Sequence, residues 1–336
     1  MDLLTQGLLG ANLAVAGAAS RDNLRKTALV GLLAGLAADV DFLIRSADDP
    51  LLNLEFHRHF THSLLFVPLA ALILSALLWP LLRNHFRWRR LLLICFLGYL
   101  PSGFLDAATS YGTSLLWPVS DTRFSFNVIS IIDPLFTLLL LAGLVLAMVG
   151  RKRIYLAICL GLAAAYLLMG WVQQSRVEDM TRDLARQRGH DVERLLVRPT
   201  LGNLVQWRSL YLHAGHYHVD AVRMNPLTGT GRVFTGSSVA RFDPASSDLP
   251  VAPASVLGRD IRRFQRFTND YLAFDPARPG LLSDVRYANL PTSTAPLWAI
   301  RIDPSRPQEH AAYELFRDSS QATRQAFMNM LLGGDD

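Results

Sequence analysis

Lysine is nearly missing from this chain of 336 residues: only Lys26 and Lys152 stand among 33 basic side chains, and the rest are arginine. The formal net charge of +5 is not gathered into a basic stripe or a known nucleic-acid module, which excludes nucleic acid as a partner. It leaves membrane-flanking arginine and a solvated surface. Cysteine is equally scarce. Cys95 and Cys159 both lie in apolar runs, so there is no disulfide framework, and the cysteine-free C-terminal part is compatible with an oxidising compartment. The N-terminus, Met1-Asp2-Leu3-Leu4-Thr5-Gln6, lacks the positive residues that open a signal peptide. The small residues at 16–19 therefore read as part of the mature protein.

Apolar residues are plentiful. They make up 51% of the chain and its mean hydropathy is +0.22, too apolar for an ordinary soluble protein of this size. Up to Trp171 the chain is dominated by Leu, Ala, Gly, Ile and Val; beyond it Arg, Asp, Pro, Ser and Thr become frequent. The composition predicts a mainly α-helical membrane domain over 1–173 and a small α+β extra-membrane domain over 174–336. Six apolar segments, 3–19, 27–45, 64–82, 91–105, 129–149 and 154–172, are the expected membrane segments. The first two are rich in Gly and Ala, suited to packing inside a bundle.

Basic clusters set the expected orientation. Arg21, Arg25 and Lys26 separate the first two segments; Arg83, Arg87, Arg89 and Arg90 the third and fourth; Arg151, Lys152 and Arg153 the last two. The positive-inside rule places all three in the cytoplasm. The alternate connections, both termini and the C-terminal domain then face outward. Asp39, Asp41, the 57–63 stretch, Asp106 and Asp133 all fall at that outer face.

In the C-terminal part, 173–189 reads as a helix leaving the membrane and 259–274 as a second helix. Alternating, aromatic-rich runs at 204–212, 216–222 and 297–302 read as strands. His216 and His218 share a strand face by the period of two. With no carboxylate or Cys spaced to complete a site, His213, His216 and His218 read as an ordinary exposed face.

The richest stretch is His57-Arg58-His59-Phe60-Thr61-His62-Ser63, which runs directly into the apolar segment 64–82. Histidine needs carboxylates or further histidines to complete a metal shell. On a helix His59 and His62 pair at three residues; in a turn His57 and His62 converge instead; as a cap, Thr61 or Ser63 closes a helix end. Asp39 and Asp41 would point to nearly opposite sides of a regular helix, so both serve one site only if that helix has already ended. Asp106 stands where apolar sequence yields to a turn. Asp133 precedes Pro134 and reads either as a functional intramembrane acid or as a helix cap.

These elements, with residues 1–11, the 109–113 run Thr-Ser-Tyr-Gly-Thr, Trp117-Pro118 and Ile132-Asp133-Pro134, resemble the YdjM-like family of inner-membrane, metal-dependent hydrolases over roughly residues 1–175. Asn203 to Arg208 resembles the start of that family's extra-membrane tail. The resemblance implies a helical core holding a divalent metal, Zn or Mn, with His57, His62, Asp39 and Asp106 as ligands and Asp41, Arg58 and Thr61 around them. Two departures stand out. The position of His59 is often Gly in the family, and Ser102 stands where many members carry a His, one turn before the Asp106 position. The activity implied is hydrolysis by a metal-activated water. Arg58 suits a phosphate-bearing substrate and the location a lipid-linked one, so the expected substrate is phosphate-bearing or lipid-linked, with membrane lipid as the partner and the inner membrane as the location. The alternative is a non-enzymatic membrane metal-binding or scaffold protein whose outer domain binds a partner.

Overall fold

The computed structural model describes residues 1–20, 23–150, 152–244 and 249–334; Arg21 and Arg151 of the basic clusters lie outside the described residues. The chain divides into two compact units. One comprises Met1–Leu43, Phe56–Trp171 and Leu201–Asn203, the other Ile44–Glu55, Val172–Thr200 and Leu204–Asp336.

The first unit is helical. In chain order the helices are α1 (Leu3–Ala18), α2 (Leu24–Leu36), the short α3 (Leu52–Phe56), α4 (Val67–Leu82), α5 (Trp88–Tyr99), α6 (Pro101–Ala108), α7 (Pro134–Gly150) and α8 (Arg153–Gln187). Of these α3 lies mostly in the second unit, and α8 is shared between the two. The 3₁₀ stretches Ala37–Leu43 and Phe60–His62 interrupt the series. Asp2 starts α1 by accepting the Thr5 amide at 3.0 Å. Helices α1, α2 and α5 meet backbone to backbone: a Cβ on Gly10 would stand 2.5 Å from the Gly98 carbonyl and 2.6 Å from that of Gly31. Glycine here permits the close helix approach typical of membrane bundles. Leu8, Ala11 and Val15 of α1 also pack with Phe136, Leu140 and Leu144 of α7. Large apolar side chains remain outside, among them Leu77 at 68% and Leu81 at 77% exposure, as a lipid-facing surface requires.

The expectation of six spans is not supported. Among the described residues two helical stretches, Trp88–Ala108 and Arg153–Gln187, are long and apolar enough to cross a membrane. A third span arises only if Leu52–His62 and Val67–Leu82, bent by 86°, count together. Helices α1, α2 and α7, with 16, 13 and 17 residues, fall short of the roughly 20 that a full crossing needs. Sequence counting had merged helix with the flanking turns. Residues 37–43 of the second apolar segment, for example, belong to the 3₁₀ stretch.

The second unit carries two four-stranded antiparallel sheets. The first has β1 (Arg194–Pro199), β2 (Gln206–His213), β3 (His216–Met224) and β4 (Gly231–Ala240) in that order. The second has β5 (Leu272–Phe274), β6 (Leu281–Asp284), β7 (Trp298–Arg301) and β8 (Ala312–Leu315). Helices α9 (Val256–Phe267) and α10 (Gln321–Leu332) complete it. Leu210, Leu212, Tyr217 and Val219 form a core with Val239, Tyr271, Ala273 and Val285. The expected helix over 173–189 is the end of α8, which runs without a break through 35 residues to Gln187. One expectation needs correction. The expected 259–274 helix stops at Phe267, and 272–274 is β5. Asn269 and Asp270 take positive φ there, 50° and 62°, a conformation that no helix propagates.

Candidate metal centre

Helix α2 gives way at Leu36 to the 3₁₀ stretch that carries Asp39 and Asp41, both buried. The second 3₁₀ stretch carries Thr61 and His62, and α6 carries Asp106. A side chain at Gly103 of α6 would collide with the His62 carbonyl, so glycine there lets α6 bring Asp106 up to the histidine.

His62, buried at 1% exposure, is engaged on both ring nitrogens. Nε2 faces Asp106 Oδ2 at 2.9 Å and Asp39 Oδ1 at 3.4 Å. Nδ1 faces Asp41 Oδ2 at 3.3 Å and the Thr61 hydroxyl at 3.0 Å. Asp41 is the most heavily used carboxylate. Oδ2 accepts the Arg58 amide at 2.9 Å and the Thr61 hydroxyl at 2.6 Å, while Oδ1 lies 3.0 Å from His57 Nδ1. Tyr99 donates its hydroxyl to the Thr61 carbonyl at 2.6 Å, which fixes the turn from behind.

Asp106, fully buried, is flanked by the Met1 amine and Arg58. The Met1 amine meets Oδ1, and Arg58 Nε stands 3.1 Å from Oδ2. Arg58 also donates to the Thr109 hydroxyl at 2.8 Å and lies 4.9 Å over the Tyr111 ring. It takes φ +59°, a left-handed conformation that costs a non-glycine residue about 1–2 kcal/mol. Backbone of this kind concentrates at functional sites.

Seven residues singled out in the sequence thus fall into one neighbourhood, but the four expected ligands do not meet at a single point. They form two overlapping groups: Asp39, His62 and Asp106, all buried, and Asp39, Asp41 and His57, each with ligand atoms within 4.8 Å of one another. Asp39 is common to both. His59 stands apart, its ring among Phe56, Phe60 and Trp117 at 5.6, 6.4 and 5.5 Å. Ser102 turns to the Gly35 carbonyl at 3.3 Å. Asp133 is a cap: it accepts the Phe136 amide of α7 at 3.1 Å and the Tyr166 hydroxyl at 2.8 Å. Sequence reasoning passed over Tyr111 and Arg123. Arg123 donates to the carbonyls of His57 and Gly112, both at 2.9 Å, and lies 5.7 Å over Tyr111. Tyr111 sits inside a motif already noticed, whereas Arg123 carries no local signal.

The donor set can accept a divalent ion. His62 Nε2 and Asp106 Oδ2 are buried and make no hydrogen bond of their own, although they face one another. One imidazole and two carboxylates suit Zn or Mn, and Asp41 behind Nδ1 supplies the outer carboxylate that orients metal-ligating histidines. A third group, Asp49, Asp260 and His310 in the second unit, is different in kind. Arg263 pairs with Asp49 at 2.9 Å and Asp260 at 3.0 Å, so the cluster already holds its cation.

Residues 1–177 match the family described as YdjM inner membrane protein. The chain belongs to the YdjM inner membrane protein family. Every residue of the two metal-capable groups lies within the YdjM match, while Asn203 to Arg208 lies beyond it. No curated protein and no solved structure matches the chain.

Proposed function

We propose that this chain is a membrane-bound, metal-dependent hydrolase acting on a phosphate-bearing or lipid-linked substrate. The observation that carries the reading is the buried Asp39–His62–Asp106 group sharing Asp39 with a second group at His57. Asp39, His62 and Asp106 would hold one divalent ion, and Asp39, Asp41 and His57 a second. When bound, the ion supplies Lewis acidity and an activated water near neutral pH. Asp41 keeps His62 in the tautomer that leaves Nε2 free to coordinate. Thr61 holds Asp41 in place; where the second ion is absent, Asp41 would be the proton acceptor beside His57 at the more open edge of the site. Arg58 balances the charge of Asp106 and favours an anionic substrate, since its planar fork matches phosphate oxygens.

Location supports a lipid-linked substrate. Arg25 and Lys26, Arg83 to Arg90, and Lys152 and Arg153 mark cytoplasmic ends by the positive-inside rule. On that reading the carboxylates and histidines would lie at the outer face of the inner membrane, and the C-terminal domain would lie outside the cytoplasm. A reporter fused after Gln174 should be active only outside the cytoplasm; cytoplasmic activity refutes this orientation.

One observation favours a non-enzymatic metal-binding or scaffold role instead: Asp106 is already paired with the Met1 amine and Arg58. Metal analysis of the purified protein, paired with phosphomonoester and phosphodiester hydrolysis under added Zn²⁺ or Mn²⁺, separates the two. The hydrolase reading expects metal uptake and turnover, with turnover and the ion of the buried group lost in His62→Ala. Uptake without turnover on any phosphoester supports the scaffold reading, and no uptake defeats both.

A further inference from the structure

The polar face of the first sheet gathers a second cluster of titratable side chains, separate from the candidate metal centre. Along β2 and β3 one face feeds the core while the other presents Tyr211, His213, His218 and Asp220. Tyr211 pairs across the strands with His218, and His218 with Ser238. Just past the end of α8, Arg188 and His190 come down on this face. Arg188 forks onto Asp220 at 2.6 and 2.9 Å and donates to the Tyr211 hydroxyl at 3.1 Å. His190 Nδ1 lies 2.9 Å from the same hydroxyl. The His190 ring lies 4.4 Å from His213 and 4.5 Å from His218.

Beside this group opens a cleft of about 230 Å³ lined by Arg188, His190, His218, Thr235, Ser237 and Ser238. A bulge between His218 and Asp220 displaces β4 at this point, a device that re-aims side chains. Asp220 also lines the cleft, but its charge is taken by Arg188, and the Gly236 amide donates to it at 3.1 Å. Every other polar side chain of the lining offers a donor: two imidazoles, three hydroxyls and the outer edge of a guanidinium. The volume lies below the roughly 300–1,000 Å³ of pockets for drug-sized ligands.

We infer that this cleft binds a small oxyanion of the phosphate class, an inorganic phosphate or the phosphate of a small ester. Arg188, His190 and His218 supply N–H donors and Ser238 and Thr235 the hydroxyl donors. The electrostatics agree. Burial, then His213 and Arg188, hold His190 below the ordinary imidazole value. Burial, then His190, Arg188 and His213, do the same to His218, with Asp220 opposing. This environment disfavours the charged imidazoles, and a bound anion would favour them. A metal ion would not, and the ring geometry disfavours one. His190 and His213 are stacked with 14° between their planes, so their in-plane lone pairs run side by side rather than converging, and Arg188 repels a cation.

The inference does not rest on the metal centre, and its test keeps the two apart. The full chain, in detergent with chelator present, is titrated with inorganic phosphate by calorimetry. Saturable binding is expected. Ser238→Asp places a carboxylate opposite His218, and His218→Gln removes an imidazole; each should weaken binding at least about tenfold, the scale of one charge-assisted hydrogen bond. Thr228→Asp, outside the cleft, should leave it unchanged. Should Ser238→Asp unfold the domain, His190→Ala takes its place, with thermal denaturation as the check. In phosphatidylcholine nanodiscs, competition by glycerol 1-phosphate identifies a soluble ester as the source, and competition only by phosphatidic acid in the bilayer identifies a lipid headgroup. No saturable phosphate binding, equal binding in Ser238→Asp and His218→Gln, or Zn²⁺ uptake abolished by His190→Ala without any phosphate binding overturns the inference.

Discussion

Asp41 Oδ2 stands 3.3 Å from His62 Nδ1, on the edge of the ring opposite the one that faces Asp39 and Asp106. The carboxylate therefore governs which way the imidazole points and which nitrogen is left for a ligand. Asp41→Asn keeps the shape but loses the charge that holds the Nδ1 proton. Zn²⁺ affinity, measured by chelator competition, should fall about 10–100-fold with the fold intact, as for other outer carboxylates. An unchanged affinity would show that Asp41 does not orient the ligand.

The three histidines of 57–63 should separate cleanly. His62→Ala removes the one imidazole that faces both Asp39 and Asp106 and should empty that buried group. His57→Ala should empty only the group formed with Asp39 and Asp41, leaving the other loaded. His59 packs among Phe56, Phe60 and Trp117, so His59→Gly should lower the melting temperature and leave metal content unchanged. Loss of metal in His59→Gly at an unchanged melting temperature contradicts this assignment.

How much of this was readable beforehand differs by scale. Family membership and the order of a helical part followed by a small sheet domain follow from motifs and composition, because a long apolar half and a motif series survive any local ambiguity. The number of spans does not follow: apolar runs such as 27–45 include turns, and hydropathy does not mark where α2 stops at Leu36. The same stop decides the site. Helical period separates Asp39 from Asp41; the change to a 3₁₀ stretch places both carboxylates beside His57 and His62. His59 was separable from His57 and His62 only through the family pattern, since its aromatic neighbour Trp117 is remote in sequence. Arg123, His190 and Arg263 were invisible for the same reason.

Arg58 offers a test that uses its backbone. Both Arg58→Ala and Arg58→Gly remove the guanidinium from Asp106 and Thr109, and both should lower stability. Only glycine accepts φ +59° without strain. The glycine variant should therefore be the more stable of the two, by about 1 kcal/mol, read as a higher melting temperature. Equal stability, or a more stable alanine variant, shows that the left-handed turn is not held in the folded protein.

The pairing of Arg263 with residues 44–55 predicts a pH dependence confined to acid. Arg263 reaches Asp49 and Glu55, each at 2.9 Å, and Asp260 at 3.0 Å. Burial raises the Asp49 carboxyl, but the hydrogen bond and charge of Arg263, the Leu51 amide and His310 outweigh it and hold the group below the usual carboxylate range. A carboxylate depressed in the folded state stabilises it above the unfolded value of about 3.9 and loses that contribution as pH falls through the folded value. Proteolysis within 44–55 should therefore be flat from neutral pH down to about pH 5 and should rise below about pH 4. The side chains of Asp49 and Arg263 retain 21% and 15% exposure, so solvent screening keeps the effect modest. Asp49→Asn should be more easily cut at neutral pH and should lose most of the acid step. If the step instead appears above pH 5, or persists undiminished in Asp49→Asn, another group anchors this segment.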